Sequence, residues 1–377
     1  MAPPRILHLH STFDLGGKEA RAVRLMNAFG DAFQHDIVSA VPSATRARDA
    51  VDPGIDARLL TEFPPLAGKP TPARLKRLAK AIDEGGYALA LSYNFGAMDA
   101  VLARRLFGTT PLIHHEDGFN EDERVRQKPL RVLYRRAALP CVERLVVPSQ
   151  LLEGLALGQW RQPRSRVMRI PNGIDTTRFE KAPAADAIPG LDKRDGEIIV
   201  GTLAGLRPVK NLPRLVEAFA FATQMAQIPA RLVIVGDGPE RQRIEEAAVR
   251  AGVADRLVMP GFLADPSRYV GLFDIFALSS DSEQFPISLV EAMAAGLPAA
   301  STRVGDIEGI VAAENRPLLA RTADAEALGR GLARLMGDAQ LRATVGAANR
   351  TKVRSEYDEA GMIASYRALY EGAMRGQ

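Results

Sequence analysis

The 377-residue sequence predicts an α/β protein of two domains, each a mostly parallel, doubly wound sheet flanked by helices. Three observations lead there. Short apolar runs that read as strands alternate with amphipathic helical patterns along the chain. The length exceeds what one ordinary core accommodates. Near the middle, Pro171-Asn172-Gly173-Ile174-Asp175 marks a turn, and residues 181–197, rich in Ala, Pro, Asp and Gly, have the composition of a linker. The expected domains are 1–178 and 179–356, followed by a terminal helix over 357–374.

In the first domain, the strand Ile6–Leu9, a helix carrying Ala22, Val23, Met26 and Phe29, and the strand Asp36–Val41 form a βαβ opening. Between strand and helix, Gly16 and Gly17 let the backbone approach a ligand at a helix N-terminus, or simply make a tight turn. A helix with Leu75, Leu78, Ala79 and Ile82 precedes the strand Ala88–Leu91. The loop after it holds Tyr93 and Asn94, at the carboxyl end of a parallel strand where such folds bind ligands; these residues touch a ligand or pack the next helix.

The strand Pro111–Ile113 runs into His114-His115-Glu116-Asp117-Gly118-Phe119, which reads as a metal site, a general-base cluster or a solvated loop. Adjacent ligands rarely converge on one ion, which argues against metal. In the stretch from Glu121 to Arg136, Lys128, Arg131 and Arg135 share one helical side, with Leu130, Leu133 and Tyr134 on another. The cationic side suits an anionic membrane surface or a lipid diphosphate, with a solvated face as the plain alternative. Interleaved aromatics for stacking bases are missing, so nucleic acid is not an expected partner. Leu145–Pro148 and Val167–Ile170 complete the first sheet.

The second domain opens with the strand Ile198–Leu203 and a loop carrying Gly205, Arg207 and Lys210 ahead of a helix with Leu215, Ala218, Phe219 and Ala222. An ammonium at that place can stabilise a leaving diphosphate. Leu232–Val235 leads to Gly236-Asp237-Gly238-Pro239, a turn with Pro at the first helical position, and Leu257–Phe262 is a further strand and corner. After the strand Asp274–Leu278 come Glu283, Phe285-Pro286 and a helix with Ile287, Leu289, Val290, Met293 and Ala294 on one side and Glu291 two turns in. Such a turn aims unpaired N–H groups and the positive helix end at one point, which suits a phosphate. Gly296-Leu297-Pro298 stops the helix. Ala325–Met336 is one more helix.

Hydrophobic content of 46% with 25% charged residues is ordinary for a soluble globular protein. The single cysteine, Cys141, allows no internal disulfide and no metal-ligand spacing, which points to a reducing cytoplasm; Leu139, Pro140 and Val142 around it suggest a buried, inert thiol. Met1 to Arg5 lead directly into a strand, so no signal peptide is expected, and no apolar run reaches the length of a membrane span. Residues 1–180 carry a net charge of +6 and the remainder −2, which assigns an anionic partner to the first half.

Glu283 and Glu291, with seven residues between them inside Glu-Gln-Phe-Pro-Ile-Ser-Leu-Val-Glu-Ala-Met-Ala-Ala-Gly-Leu-Pro, form a stretch that resembles the donor-site signature of retaining nucleotide-sugar glycosyltransferases of family 4. The resemblance covers nearly the whole chain. It implies the GT-B architecture, two facing Rossmann-like domains with a cleft between them, and a terminal helix packed back on the first. It also implies transfer of a sugar from a nucleoside diphosphate sugar, UDP- or GDP-linked, to an acceptor hydroxyl with the anomeric configuration retained and no metal or other cofactor.

In that scheme Lys210 and the Phe285-Pro286-Ile287 backbone hold the diphosphate, Glu291 the ribose hydroxyls and Glu283 the sugar hydroxyls. Gly16 and Gly17 face the diphosphate, Gly236 lies near the nucleotide, and Tyr93, Asn94, Arg131 and Arg135 are candidates for the acceptor. Two positions depart from the family pattern. Where relatives carry a histidine before a glycine this chain has Asp117, so that role passes to His114, His115 or Asp117 itself. Where an arginine precedes the lysine by about five positions this chain has Gly205, with Arg207 as the nearest substitute.

The basic first half favours envelope or exopolysaccharide assembly on a lipid-linked glycan acceptor, at the inner face of the cell membrane. A catalytically silent nucleotide-sugar-binding subunit is the non-enzyme rival. An epimerase or phosphorylase on the same fold is the enzyme rival, and the paired glutamates speak against it.

Overall fold

The strands are short and mostly buried on both sides, as a sheet covered by helices on each face requires. In the first unit they are β1 (Arg5–His10), β2 (Gln34–Ser39), β3 (Ala57–Leu59), β4 (Leu89–Tyr93), β5 (Leu112–His115), β6 (Arg144–Val147) and β7 (Val167–Arg169). All pair in parallel, in the order β3-β2-β1-β4-β5-β6-β7. Among the described residues the helices that connect them are α1 (Gly17–Phe29), α2 (Pro72–Glu84), α3 (Met98–Phe107), α4 (Pro129–Ala138) and α5 (Gln150–Gly158). The second unit repeats the plan with β8 (Ile198–Leu203), β9 (Ala230–Val235), β10 (Leu257–Gly261), β11 (Ile275–Leu278), β12 (Ala299–Thr302) and β13 (Leu319–Ala320), ordered β10-β9-β8-β11-β12-β13. Its helices are α6 (Leu212–Ala226), α7 (Arg241–Arg250), α8 (Ile287–Ala294), α9 (Ile307–Ile310), α10 (Ala325–Gly337) and α11 (Ala339–Glu356); α12 (Glu359–Met374) ends the chain. This computed structural model describes residues 2–14, 16–118, 123, 127–321 and 324–376.

Residues 1–172 together with 361–377 form one compact unit, and residues 173–360 the other. Within the second unit Ile174 bridges Asp358, and a Cβ on Gly173 would lie 2.8 Å from the Asp358 carbonyl oxygen, so these two ends of the unit are held tightly together. Within the first unit, Met362, Tyr366 and Tyr370 of α12 join the core formed with α1 and the sheet.

Each sheet reverses direction once, between β1 and β4 in the first unit and between β8 and β11 in the second. At such a switch point adjacent strands send their connections to opposite faces, leaving a crevice beyond the strand ends that side chains from both loops can line. The loops after β8 and β11 carry Lys210 and Glu283.

Candidate functional site

In the second unit the loop after β8 and the loop after β11 meet. The Lys210 ammonium donates to Glu283 Oε1 at 2.6 Å, and the Ser280 hydroxyl donates to the same oxygen at 2.6 Å. Ser279 Oγ reaches the Lys210 carbonyl at 2.9 Å. Behind them Arg214 of α6 donates to the Ser279 carbonyl at 2.9 Å and pairs with Asp281 at 2.7 Å, tying both loops to a helix. Glu283 is nearly buried, so its carboxylate has a fixed position.

Two glycines fit these loops together. Gly305, with φ +56°, stands where a Cβ would be 1.9 Å from the Glu283 carbonyl oxygen. Gly236, with φ +142°, brings its turn so close to the preceding loop that a Cβ would be 1.9 Å from the Ala204 carbonyl oxygen. Helix α8 begins at Ile287 with no side chain capping it, and because the Leu289 N–H bonds the Pro286 carbonyl at 3.1 Å, the N–H groups left facing the loop are those of Ile287 and Ser288. The Phe285 ring lies edge-on against Tyr357, 5.6 Å between centroids, and this anchors Phe285-Pro286 at the helix start. Glu291, half-buried on the second turn, lies near Tyr269, whose phenol is pushed up first by burial and then by the Glu291 charge. Arg207 is exposed on the same loop as Lys210, and Gly205 supplies only backbone there.

In the first unit, Gly16 is the extended residue before α1 and Gly17 its first residue. Sequence reasoning missed Arg21, one turn into that helix. Its buried guanidinium grips both oxygens of Asp117, one at 2.8 Å, donates to Asn172 Oδ1 at 3.1 Å and lies over the Tyr366 ring at 5.6 Å. A signal was present: Arg21, Leu25 and Phe29 are spaced four apart, so the arginine continues an apolar stripe. Asn94 Oδ1 accepts from the Asp117 N–H at 2.7 Å. The Asp117 carboxylate is therefore an ion-pair partner of a buried cation, which fixes its position.

The histidines stand differently from expectation. His115 is buried, stacked on Tyr93 at 4.7 Å, with Nε2 3.2 Å from the Tyr370 hydroxyl. Burial pulls its pKa well below the usual value, so the ring is neutral. His114 is buried on the other face of the strand, 2.8 Å from Ser92 Oγ and 3.4 Å from Glu116. Strand alternation forces this: consecutive residues of β5 point to opposite faces, and both faces are covered. Both rings are packed into the first unit, His115 against Tyr93, Tyr366 and Tyr370 and His114 against Ser92 and Glu116. Tyr93, also buried, stacks on His10 and His115.

The expected cationic side of α4 is also corrected. Arg135 is fully buried, with Nε 3.1 Å from Glu116 Oε2, Nη2 3.2 Å from Oε1, and its guanidinium 4.9 Å from each of the Phe95 and Trp160 rings. Burial alone would raise the Glu116 carboxyl, yet the His114 hydrogen bond and Arg135 hold it low. Arg131 is half-buried and donates to Glu123 at 2.8 Å. Lys128 is exposed. Phe119, Glu121, Asp122 and the basic residues Arg124 and Arg126 lie outside the described residues. Among the described residues no group of three or more His, Cys, Asp or Glu is placed to hold a metal ion.

Residues 185–352 match the family described as Glycosyl transferases group 1, and residues 15–178 match Glycosyltransferase Family 4. The N-acetyl-alpha-D-glucosaminyl L-malate synthase of Bacillus anthracis is 25% identical over 57% of this chain, which spans only 56% of that enzyme. The UDP-Gal:alpha-D-GlcNAc-diphosphoundecaprenol alpha-1,3-galactosyltransferase of Escherichia coli is 26% identical over 64% of each protein. Among solved structures, Anabaena Alr3699/HepE in complex with UDP aligns over 98% of this chain and 100% of that one, with a TM-score of 0.78 at 20% identity. At that identity the likeness is one of fold, and the fold is GT-B. The two family matches between them span most of the sequence, and the chain belongs to glycosyltransferase family 4.

Proposed function

We propose that the protein is a retaining hexosyltransferase that moves a sugar from a nucleoside diphosphate sugar, UDP- or GDP-linked, to an acceptor hydroxyl in envelope or exopolysaccharide glycan assembly. The observation that carries this reading is the Lys210–Glu283 pair at the switch point of the second sheet, beside the open N-terminus of α8. A diphosphate seated there meets the Lys210 ammonium and the first N–H groups of α8, while Glu283 and Glu291 supply acceptors for sugar and ribose hydroxyls. Arg207, exposed and on the same loop, replaces the family arginine as a second cation. The charge that develops on the leaving phosphate is met by Lys210, so the reading calls for neither metal nor cofactor.

The bond from the anomeric carbon to the phosphate oxygen breaks as the bond to the acceptor oxygen forms on the same face, and the acceptor proton passes to the leaving phosphate oxygen. Glu283 is held by Lys210 and Ser280 and forms no covalent intermediate, so the two-carboxylate scheme of glycosidases does not apply. Relatives support the setting: one acts on a diphosphoundecaprenol-linked sugar, and a structural neighbour binds UDP. No helix among the described residues is long and apolar enough to cross a membrane, and an anionic membrane surface at the cytoplasmic face is the partner we assign to the basic first unit.

The test is a panel of UDP-, GDP- and ADP-sugars scored by thermal shift and by release of nucleoside diphosphate, on the native chain and on Glu283→Ala and Lys210→Ala. Turnover or slow hydrolysis with one donor, lost in both variants, is expected. Stabilisation by a donor with no product, acceptor lipids supplied, would make the protein a silent binding subunit, a reading that the engagement of Asp117 by Arg21 would then favour.

A further inference from the structure

Helix α4 packs Val132, Tyr134 and Ala138 on its own domain and carries a second apolar stripe that faces outward. Leu130 is 81% and Leu133 60% exposed, and Pro129 and Ala137 are exposed on the same side. Leu130 is the most exposed large apolar side chain among the described residues. On the inner side sits Arg135, fully buried against Glu116 and between two aromatic rings. Rolling the helix about its axis would bury the leucines and hydrate the arginine, and both changes are favourable in isolation. The chain instead holds the opposite arrangement with a buried ionic network, and leucines kept outward in this way are a surface for something apolar.

The stripe is bracketed by cations. Lys128 is exposed just before its first residue, and at its far end Arg105, also exposed, donates to the Ala137 carbonyl beside exposed Leu106. The unit to which α4 belongs carries a net charge of +8, against −4 for the second unit. An apolar stripe between cations on a strongly basic body matches the boundary of an anionic bilayer, where leucines enter the acyl region and ammonium and guanidinium groups stay with the headgroups.

We infer that α4 docks the protein on an anionic lipid surface through Leu130 and Leu133. The inference deepens the assignment of a membrane-borne acceptor and rests on it for its purpose. Its test needs neither donor nor acceptor, so its failure leaves the transferase reading standing. Vesicles of phosphatidylcholine with and without phosphatidylglycerol would be floated with the native chain, with Leu130→Ser/Leu133→Ser, and with Met225→Ser/Val249→Ser, a comparably exposed pair in the second unit.

The native chain is expected to float with the anionic vesicles and to dissociate as salt rises. The α4 variant is expected to lose about tenfold in binding while keeping its melting temperature and its hydrolysis of donor. The control pair should behave as the native chain. Flotation no better with anionic lipid than without it would overturn the inference, as would an α4 variant that floats normally. So would a concentration-dependent dimer of the native chain that the α4 substitutions dissociate, since the leucines would then cover a second copy.

Discussion

The Lys210 ammonium lies 2.6 Å from Glu283 Oε1 across 73 residues of sequence because β8 and β11 are neighbours at the point where the sheet reverses. Each strand delivers its loop to the same crevice, and Ser279, Ser280 and Arg214 fix the two loops to one another. A cation and a carboxylate held together in this way can be shared out between the two ends of one ligand, phosphate to the lysine and hydroxyl to the glutamate.

Lys210→Ala is expected to lower donor turnover by about 10²–10³-fold, the usual cost of removing one preorganised group aimed at developing charge. Lys210→Arg keeps the charge but changes its reach, and should recover only part. Steady-state release of nucleoside diphosphate measures both. A variant within twofold of the native rate would remove Lys210 from the site.

Gly305→Ala tests the loop geometry without touching a charged group. Its Cβ would sit 1.9 Å from the Glu283 carbonyl oxygen at a φ of +56°, so the Glu283 loop must move. Loss of turnover by about 10²-fold is expected from a displacement of this kind, with stability lowered by about 1 kcal/mol or more. Gly337→Ala, where a Cβ meets nothing within 4 Å, should leave both unchanged.

Asp117→Asn leaves the Arg21 guanidinium buried without its counter-charge. Destabilisation of the first unit by about 3–5 kcal/mol is expected in denaturant titrations. Arg21→Met combined with Asp117→Asn should cost less than Asp117→Asn alone, a coupling that a double-mutant cycle measures. Equal or additive costs would show that the pair is not held as the distances indicate.

All five histidines lie in the first unit, and His8, His10, His35 and His115 share its buried aromatic cluster. Burial lowers all four, His35 to about 4 and the others well below the usual value. The folded protein therefore refuses protons that the unfolded chain accepts below pH of about 6.5. Stability is level above that pH and falls as pH drops towards about 4, by up to roughly 1.4 kcal/mol per histidine per pH unit. Melting curves from pH 8 to 4 would show this fall. His10→Phe, which replaces a ring with no partner at either nitrogen among the described residues and keeps its stacking on Tyr93, should flatten it.

Much of the fold was legible because its signals are local. Ile198–Leu203 reads as a strand from six residues without a charge, and Gly296, at φ +81°, stops α8 where a Gly-Leu-Pro run says it should. The positions of the Lys210 and Glu283 loops were legible for the same reason, since each lies between a strand and a helix. What escaped was pairing at long range. A helical wheel gives α4 two faces, but distant partners, Glu116 and Glu123 among them, decide that Arg135 goes inward and the leucines outward. Arg21 and Asp117 are 96 residues apart, and nothing near either residue announces the other. Likewise the histidine pair that ends β5 reads as chemistry in a linear sequence, and is buried once both faces of the strand are covered.

On the function we propose, a nucleoside diphosphate sugar reacts at Lys210 and Glu283 with its configuration retained. The most direct measurement is proton NMR of the anomeric signal during turnover of the donor chosen by the panel, on the native chain and on Glu283→Ala. Product that first appears with the anomeric configuration of the donor, and is absent with the variant, is the predicted result. Inverted product, or undiminished turnover by Glu283→Ala, would contradict the account.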